Sequence, residues 1–439
     1  MNKYTAAIVR YDKSTDSVRK VVELSGGLDF MPSKAKVFIK PNIVIWHVDA
    51  PFPKWGVVTT SRLIEDLVLI LKEKGIDDIT IGEGLLVQAK DKATPAAAFE
   101  GLGYKVLKKR YGINTINAFE RPFREVDLGE GQTVNMNADI LNSDFVVDVP
   151  VLKTHAQTCV SLGFKNLKGM LDIESRKKCH GPDPIKDLNW FIARLADKMP
   201  SIFVLLDGIF TAERGPSFEG KLRRSNLLIA SPDLLTGDMV GAKVLGHEPS
   251  DILHLAAAAK NRGRPGDLSD VEIAGEKIED VASYHEWTFP YTEDKTLPLP
   301  MEKMGIKGLT YHKYDFTMCS YCTAPNGIIL NAIARAWNGI PFDDIEVLTG
   351  KMMKPTPGKK KTILLGKCLY DLHKDNPDIV EMIPIKGCPP TPQSILKALQ
   401  KAGIDADPDI FEKMESAPLR FMKRYEGKAE FDESFYRVT

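Results

Sequence analysis

The chain of 439 residues has six cysteines, and its 59 Lys and Arg are cancelled by 59 Asp and Glu. Six thiols are too sparse for a small disulfide scaffold, and a chain this long can bury its own cores without one. The cancelled charge removes any global field that would recruit nucleic acid or an anionic membrane, so neither is an expected partner. No run approaches the ~18 apolar residues of a membrane-spanning helix. The opening MNKYTAAIVRYDKSTD lacks the apolar stretch and small-residue site of an export signal, so a cytoplasmic location is expected. GEGLL at 83–87 is too short for a dinucleotide fingerprint, and no phosphate loop is present.

What the chain does have is alternation. AKVFIKPN, DDITIGEG, DFVVDVPVLKTH and SIFVLLDGIF read as buried strands, and TSRLIEDLVLILKEKG and TPAAAFEGLGYKVLKK read as helices between them. This order predicts an α/β domain with a mostly parallel sheet over 1–300, whose strands end in ligand-facing loops at their carboxyl edge. The proline- and aromatic-rich EWTFPYTEDKTLPLP places a boundary near 300. A smaller C-terminal α/β domain over 301–410 follows, with strands DIEVLTG, KTILLGKC and IVEMIPIKGC. Thr391 and Pro392 open a helix there. Residues 411–439 read as a helical tail.

Four of the six cysteines fall in the second domain. Cys319 and Cys322 form a close pair, and Cys368 and Cys388 end neighbouring strands, so the four thiols are expected to converge on one sheet edge. In a reducing compartment such a set serves as ligands. A [4Fe-4S] cluster and a zinc ion both suit four thiolates, and the wide spacing of the last two, with Cys388 followed by proline, favours the cluster. Cys159 and Cys179 read as ordinary buried thiols.

The densest polar stretch of the first domain, VPVLKTHAQTCVSLGFKNLKGMLDIESRKKCHGPDP, follows a buried strand. Lys153 and Lys168, with Lys40, Asn42 and Asp207 from other strand ends, are expected to bind a small anionic molecule through its carboxylate or phosphate. Gly163 and Gly169 are expected to let backbone approach that ligand. His155, at a strand end, suits proton transfer near neutral pH, while Lys165 suits holding the anion.

The ordered motifs KPN, DFVVDVPVLKTH…GFKNLKG, LLDGI…GP…G and ASPDLLTGD resemble the domain family of unknown function numbered 362, over about residues 30–280. The resemblance implies an anaerobic setting and an accompanying iron–sulfur domain. Leu235-Thr236 departs from the family's usual alanine-valine pair, while Asp233 and Asp238 are kept. A more distant similarity is to the nickel-pincer lactate racemases, through His155, Lys165 ten residues later, and His180. It implies proton-transfer or metal-ligating roles for His155 and His180 and an anchoring role for Lys165. The expected function is an iron–sulfur oxidoreductase coupling the cluster to a small anionic substrate or cofactor in the first domain. The alternatives are a non-catalytic electron-transfer or cluster-delivery protein, with an electron-transfer partner protein, and an isomerase whose cluster is structural.

Overall fold

The computed structural model describes residues 3–43, 46, 55–84, 95–215, 219–412 and 421–439. The chain forms two compact units. Unit 1 comprises Met1–Arg176, Asn189–Thr288 and Pro418–Thr439, and unit 2 comprises Lys177–Leu188 and Phe289–Ala417.

Unit 1 is built on a sheet with ten strands among the described residues. Its main path runs Val271–Gly275, Tyr4–Arg10, Lys221–Ser231, Ser201–Glu213, Phe145–Val149, Val37–Pro41, Ile79–Glu83 and Asn114–Asn117. The last five are mutually parallel, and only Lys221–Ser231 runs against its neighbours. Phe145–Val149 is buried throughout because elements cover both faces of a parallel sheet. The helix Ser61–Glu73 presents Leu63, Ile64, Leu67, Val68, Ile70 and Leu71 to this core at helical spacing. The run 144–155, expected as one strand, is two, Phe145–Val149 and Val151–His155, because Pro150 has no N–H for the ladder. The second piece pairs with Ser201–Glu213 and then with Cys159–Val160 in a tight hairpin. The helix expected near 95–110 is also two, Pro95–Gly101 and Tyr104–Tyr111. Between them Gly103 has φ +76°, and a Cβ there would lie 2.4 Å from the Val438 carbonyl oxygen.

Unit 2 has four parallel strands in the order Leu309–Tyr311, Ile345–Leu348, Lys361–Leu365 and Glu381–Ile385. The helices Ser320–Ala336 and Pro392–Ala402 bury Ile329, Ile333, Ile395 and Leu399 with Val347, Ile363 and Ile383. Thr391 caps the latter helix through a reciprocal box with Ser394.

The domain limits differ from those expected. The proline-rich strip belongs to unit 2 because it bonds there: Tyr291 bridges Pro298, and the Tyr311 N–H donates to the Thr296 carbonyl at 2.7 Å. The break therefore falls after 288 rather than near 300, and residues 177–188 also join unit 2. The expected separate tail returns to unit 1, where Tyr436 is fully buried against Tyr11 and Phe210. Among the described residues no helix is long and apolar enough to cross a membrane.

Candidate functional site

At the carboxyl edge of the parallel strands, unit 1 buries a knot of polar side chains. Lys40 lies in the strand Val37–Pro41 with no exposure, and its Nζ donates to Glu83 Oε2 at 2.8 Å, the Pro41 carbonyl at 2.7 Å and Asn166 Oδ1 at 3.2 Å. Glu83 ends the next strand and also accepts from the Ile43 and Gly84 N–H groups at 2.9 and 2.8 Å. Asn42 donates to Asn166 Oδ1 at 3.1 Å and accepts from Lys153 Nζ at 2.7 Å. Lys153 spends a second proton on the Val57 carbonyl at 2.7 Å. Burial pulls the Lys153 pKa down to about 7; the Glu83 charge works against this and the Lys40 charge with it. The amide of Asn166 donates to Asp148 Oδ1 at 2.7 Å, while Asp148 Oδ2, also buried, has no partner. Burial raises the Asp148 pKa well above its ordinary value, against the Lys40 charge and the Asn166 hydrogen bond, which lower it.

Lys40, Asn42 and Lys153 are thus brought together, with Glu83, Asp148 and Asn166 as members that the sequence motifs did not single out. One overlooked signal was a charge closing an apolar strand, as in DDITIGEG and DFVVDVP. Gly163 and Gly169 also serve a purpose other than ligand approach. A Cβ at 169 would come within 2.7 Å of Glu83 Oε1 and 2.9 Å of Lys40 Nζ. One at 163 would come within 2.9 Å of Asp238 Oδ1 and 3.0 Å of Asp148 Oδ2. Both glycines let the segment GFKNLKG lie against buried carboxylates and the ion pair. Asp238 accepts from the Gly163 and Phe164 N–H groups at 2.7 and 2.9 Å, and burial raises its pKa to about 7 despite those bonds.

Lys165 stands apart. It lies in the short helix Leu162–Asn166 and is half-buried, and its ammonium makes no hydrogen bond or ion pair among the described residues. Crowding of protein around its ammonium, then the charges of Lys168 and Lys153, hold its pKa well below the usual lysine value. The field of Lys165 reaches His254, a fully buried ring in the helix Leu253–Asn261 whose two nitrogens both lack a partner. Burial first, and Lys165 second, lower the His254 pKa to about 3, so this ring is neutral. Buried polar atoms are rarely left unpaired, so a fully buried ring with both nitrogens in that state is uncommon. His254 had no sequence pattern to announce it.

His155 closes the strand Val151–His155 and is buried, with the Gln157 N–H donating to its Nδ1 at 3.1 Å. That bond places the ring proton on Nε2, which makes His155 a donor at that atom. Asp207 is engaged elsewhere: its carboxylate accepts from Thr60 N–H at 2.7 Å, at the start of the helix Ser61–Glu73, and from Ile209 N–H at 3.1 Å. His180 belongs to unit 2, where its Nδ1 bonds the Phe316 carbonyl at 2.6 Å and its own carbonyl accepts from Lys351 Nζ.

In unit 2 the four cysteines lie at helix starts and beyond a strand end. Cys319 caps the helix Ser320–Ala336 and Cys322 sits in its first turn. Cys368 lies in the first turn of the helix Lys367–His373, an element the sequence reading merged into a strand, and Cys388 follows the strand Glu381–Ile385. The hydrogen bond from Cys319 and burial, followed by the charges of Cys319, Cys368 and Cys388, push the Cys322 thiol upward, so the other three thiols all bear on one sulfur. Among the described residues no three His, Cys, Asp or Glu side chains stand at metal-ligating separations. The donor chemistry fits a thiolate-held metal group, with Cys319 and Cys322 buried, Cys368 half-buried and Cys388 exposed.

Residues 37–243 match the family described as Domain of unknown function (DUF362). A thylakoid-associated protein of Synechocystis sp. is 25% identical over 245 residues, covering 55% of this chain and 73% of that protein. Among solved structures, the lactate racemase apoprotein of Thermoanaerobacterium thermosaccharolyticum aligns at 15% identity and a TM-score of 0.35. That alignment covers 54% of this chain and 56% of the racemase.

Proposed function

For a chain that carries a DUF362 domain over residues 37–243, we propose an iron–sulfur oxidoreductase that couples a [4Fe-4S] cluster to a small anionic substrate. The observation that carries this reading is the action of Cys319, Cys368 and Cys388 on the single thiol of Cys322. These four residues would hold the cluster, which supplies one-electron chemistry when bound. The N–H groups at the starts of the helices Ser320–Ala336 and Lys367–His373 favour the negative charge of a thiolate-held group.

The substrate anion is assigned to Lys165, Lys168 and His254. Lys165 and His254 are polar groups without partners, and an oxyanion satisfies the donors of both. Lys40, Glu83, Asn42 and Asn166 do not face this task; they saturate one another and fix the backbone from which Lys153 and Lys165 project. His155, with its proton on Nε2, donates a hydrogen bond to the bound anion.

Protein made without oxygen is expected to contain about four iron and four sulfide per chain and to be coloured. Cys322→Ser should lose both, while Cys179→Ser should keep them. Stoichiometric zinc in a colourless protein would overturn the redox reading in favour of a structural metal.

A further inference from the structure

Unit 1 holds a second concentration of positive charge, in a cavity of about 780 Å³ between the start of the strand Lys221–Ser231 and the returning C-terminal segment. Lys221, Arg223, Arg224, Arg424 and Lys428 line it, against one carboxylate, Glu430. Glu213, buried behind the wall, pairs with Arg223 and, at 3.7 Å, with Lys221, which leaves Arg224 and Lys428 without a carboxylate partner among the described residues. The volume lies in the range of small-molecule sites.

Arg224 gives the cavity a rigid cation. Its guanidinium lies 4.6 Å from the ring centres of both Phe210 and Tyr436, and it donates to Asn226 and to the Tyr436 hydroxyl. Two donors go unused among the described residues: Nη1 of Arg224, and Nε of Arg223, whose Nη atoms go to Glu213 and the Tyr284 carbonyl. Lys428 is exposed, and its ammonium makes no hydrogen bond or ion pair among the described residues. A planar fork held by stacking loses little freedom when it meets phosphate oxygens, and a flexible lysine beside it adds a point charge. A metal cation would be repelled here, and a single carboxylate would leave most of the charge unmet.

We propose that this cavity binds a small molecule carrying two or more phosphate groups, at a site separate from Lys165 and His254. It is walled by residues 221–224 and 424–431, so ligand binding also fastens the C-terminal segment to the sheet.

The test is calorimetric titration of the full chain with inorganic pyrophosphate and with ATP at fixed salt. One saturable site per chain is expected. Lys428→Glu combined with Lys221→Gln should weaken binding at least tenfold, and Lys428→Gln alone by a smaller factor. Lys165→Ala should leave it unchanged, as should Lys36→Gln, which alters the separate cavity at the amino ends of the strands. Absence of saturable binding by either probe overturns the proposal. So does loss of binding in Lys165→Ala with retention in the Lys428 variants, which would place the anion at the other site. Tighter binding of duplex DNA than of pyrophosphate, in proportion to its length, would make the surface a polyanion track and likewise overturn it. Loss of iron has no bearing on these titrations, so they stand or fall apart from the redox reading.

Discussion

The two units treat buried chemical groups in opposite ways. In unit 1 the charges of Lys40 and Glu83 are taken out of water and then satisfied from within, each by several partners 2.7–3.2 Å away. In unit 2 four cysteines sit at helix starts and beyond a strand end, two buried, one half-buried and one exposed. A network that completes itself acts as a frame, whereas under the function proposed above the cysteine set takes its partner from outside. Lys165 and His254 bring the second style into unit 1, at the edge of its frame.

The comparison is broken most severely by Glu83→Gln, which leaves Lys40 charged and buried without its counter-ion. Unit 1 should lose about 3–5 kcal/mol in urea unfolding; a loss below about 1 kcal/mol would mean that the knot is not a frame. Gly169→Ala attacks the same frame sterically, by driving a methyl group against the ion pair. It is expected to cost about 1–3 kcal/mol in the same measurement.

The third prediction concerns pH. Asp238 holds its proton in the folded chain up to about pH 7, while its unfolded counterpart releases it near ~3.9. Between those values the folded state binds the extra proton, so stability falls as pH rises. Lys153 acts the other way: folded, it gives up its proton at about 7, while unfolded it keeps it to ~10.4, so stability rises with pH across that window. His254, lowered to about 3 in the folded chain, works against Asp238 below ~6.5, so the two trends are read from the difference between each variant and the parent in thermal unfolding. Asp238→Asn should remove the falling trend, and Lys153→Met the rising one. The smallest effect is Thr391→Ala, which removes a cap in unit 2 and should cost about 1 kcal/mol without touching unit 1.

How far the sequence could be read depended on the range of the interaction. The cap at Thr391 was legible because its partners lie within three residues. The mostly parallel sheet was legible from the alternation of apolar runs. The break at Pro150 was written in the chain, but the run of valines around it masked it. The knot was only half legible: Lys40, Asn42 and Lys153 carry visible charge or polarity at strand ends, yet their partners Glu83 and Asn166 lie 43 and 126 residues from Lys40. The glycines of GFKNLKG were visible, but what they approach is set by packing across the sheet. His254 sits in an alanine-rich helix and gains meaning only from the lysine that folding brings near.

The return of the C-terminal segment has a consequence for how the chain is made. Tyr436 seals a wall containing Tyr11 and Phe210, and the Arg110 guanidinium donates to the Thr439 carbonyl at 2.9 Å, across 329 positions. During synthesis this seal emerges only after all of unit 2, so unit 1, whose sheet is complete at Val271–Gly275, waits with that flank unsealed while residues 289–417 are made. Unit 2, continuous apart from residues 177–188, has all its strands and helices available before then. Late closure of a long loop is entropically costly and slow to find. The nascent chain therefore needs protection longest along its earliest-made strand, where Tyr11 waits for a partner from the far end of the sequence.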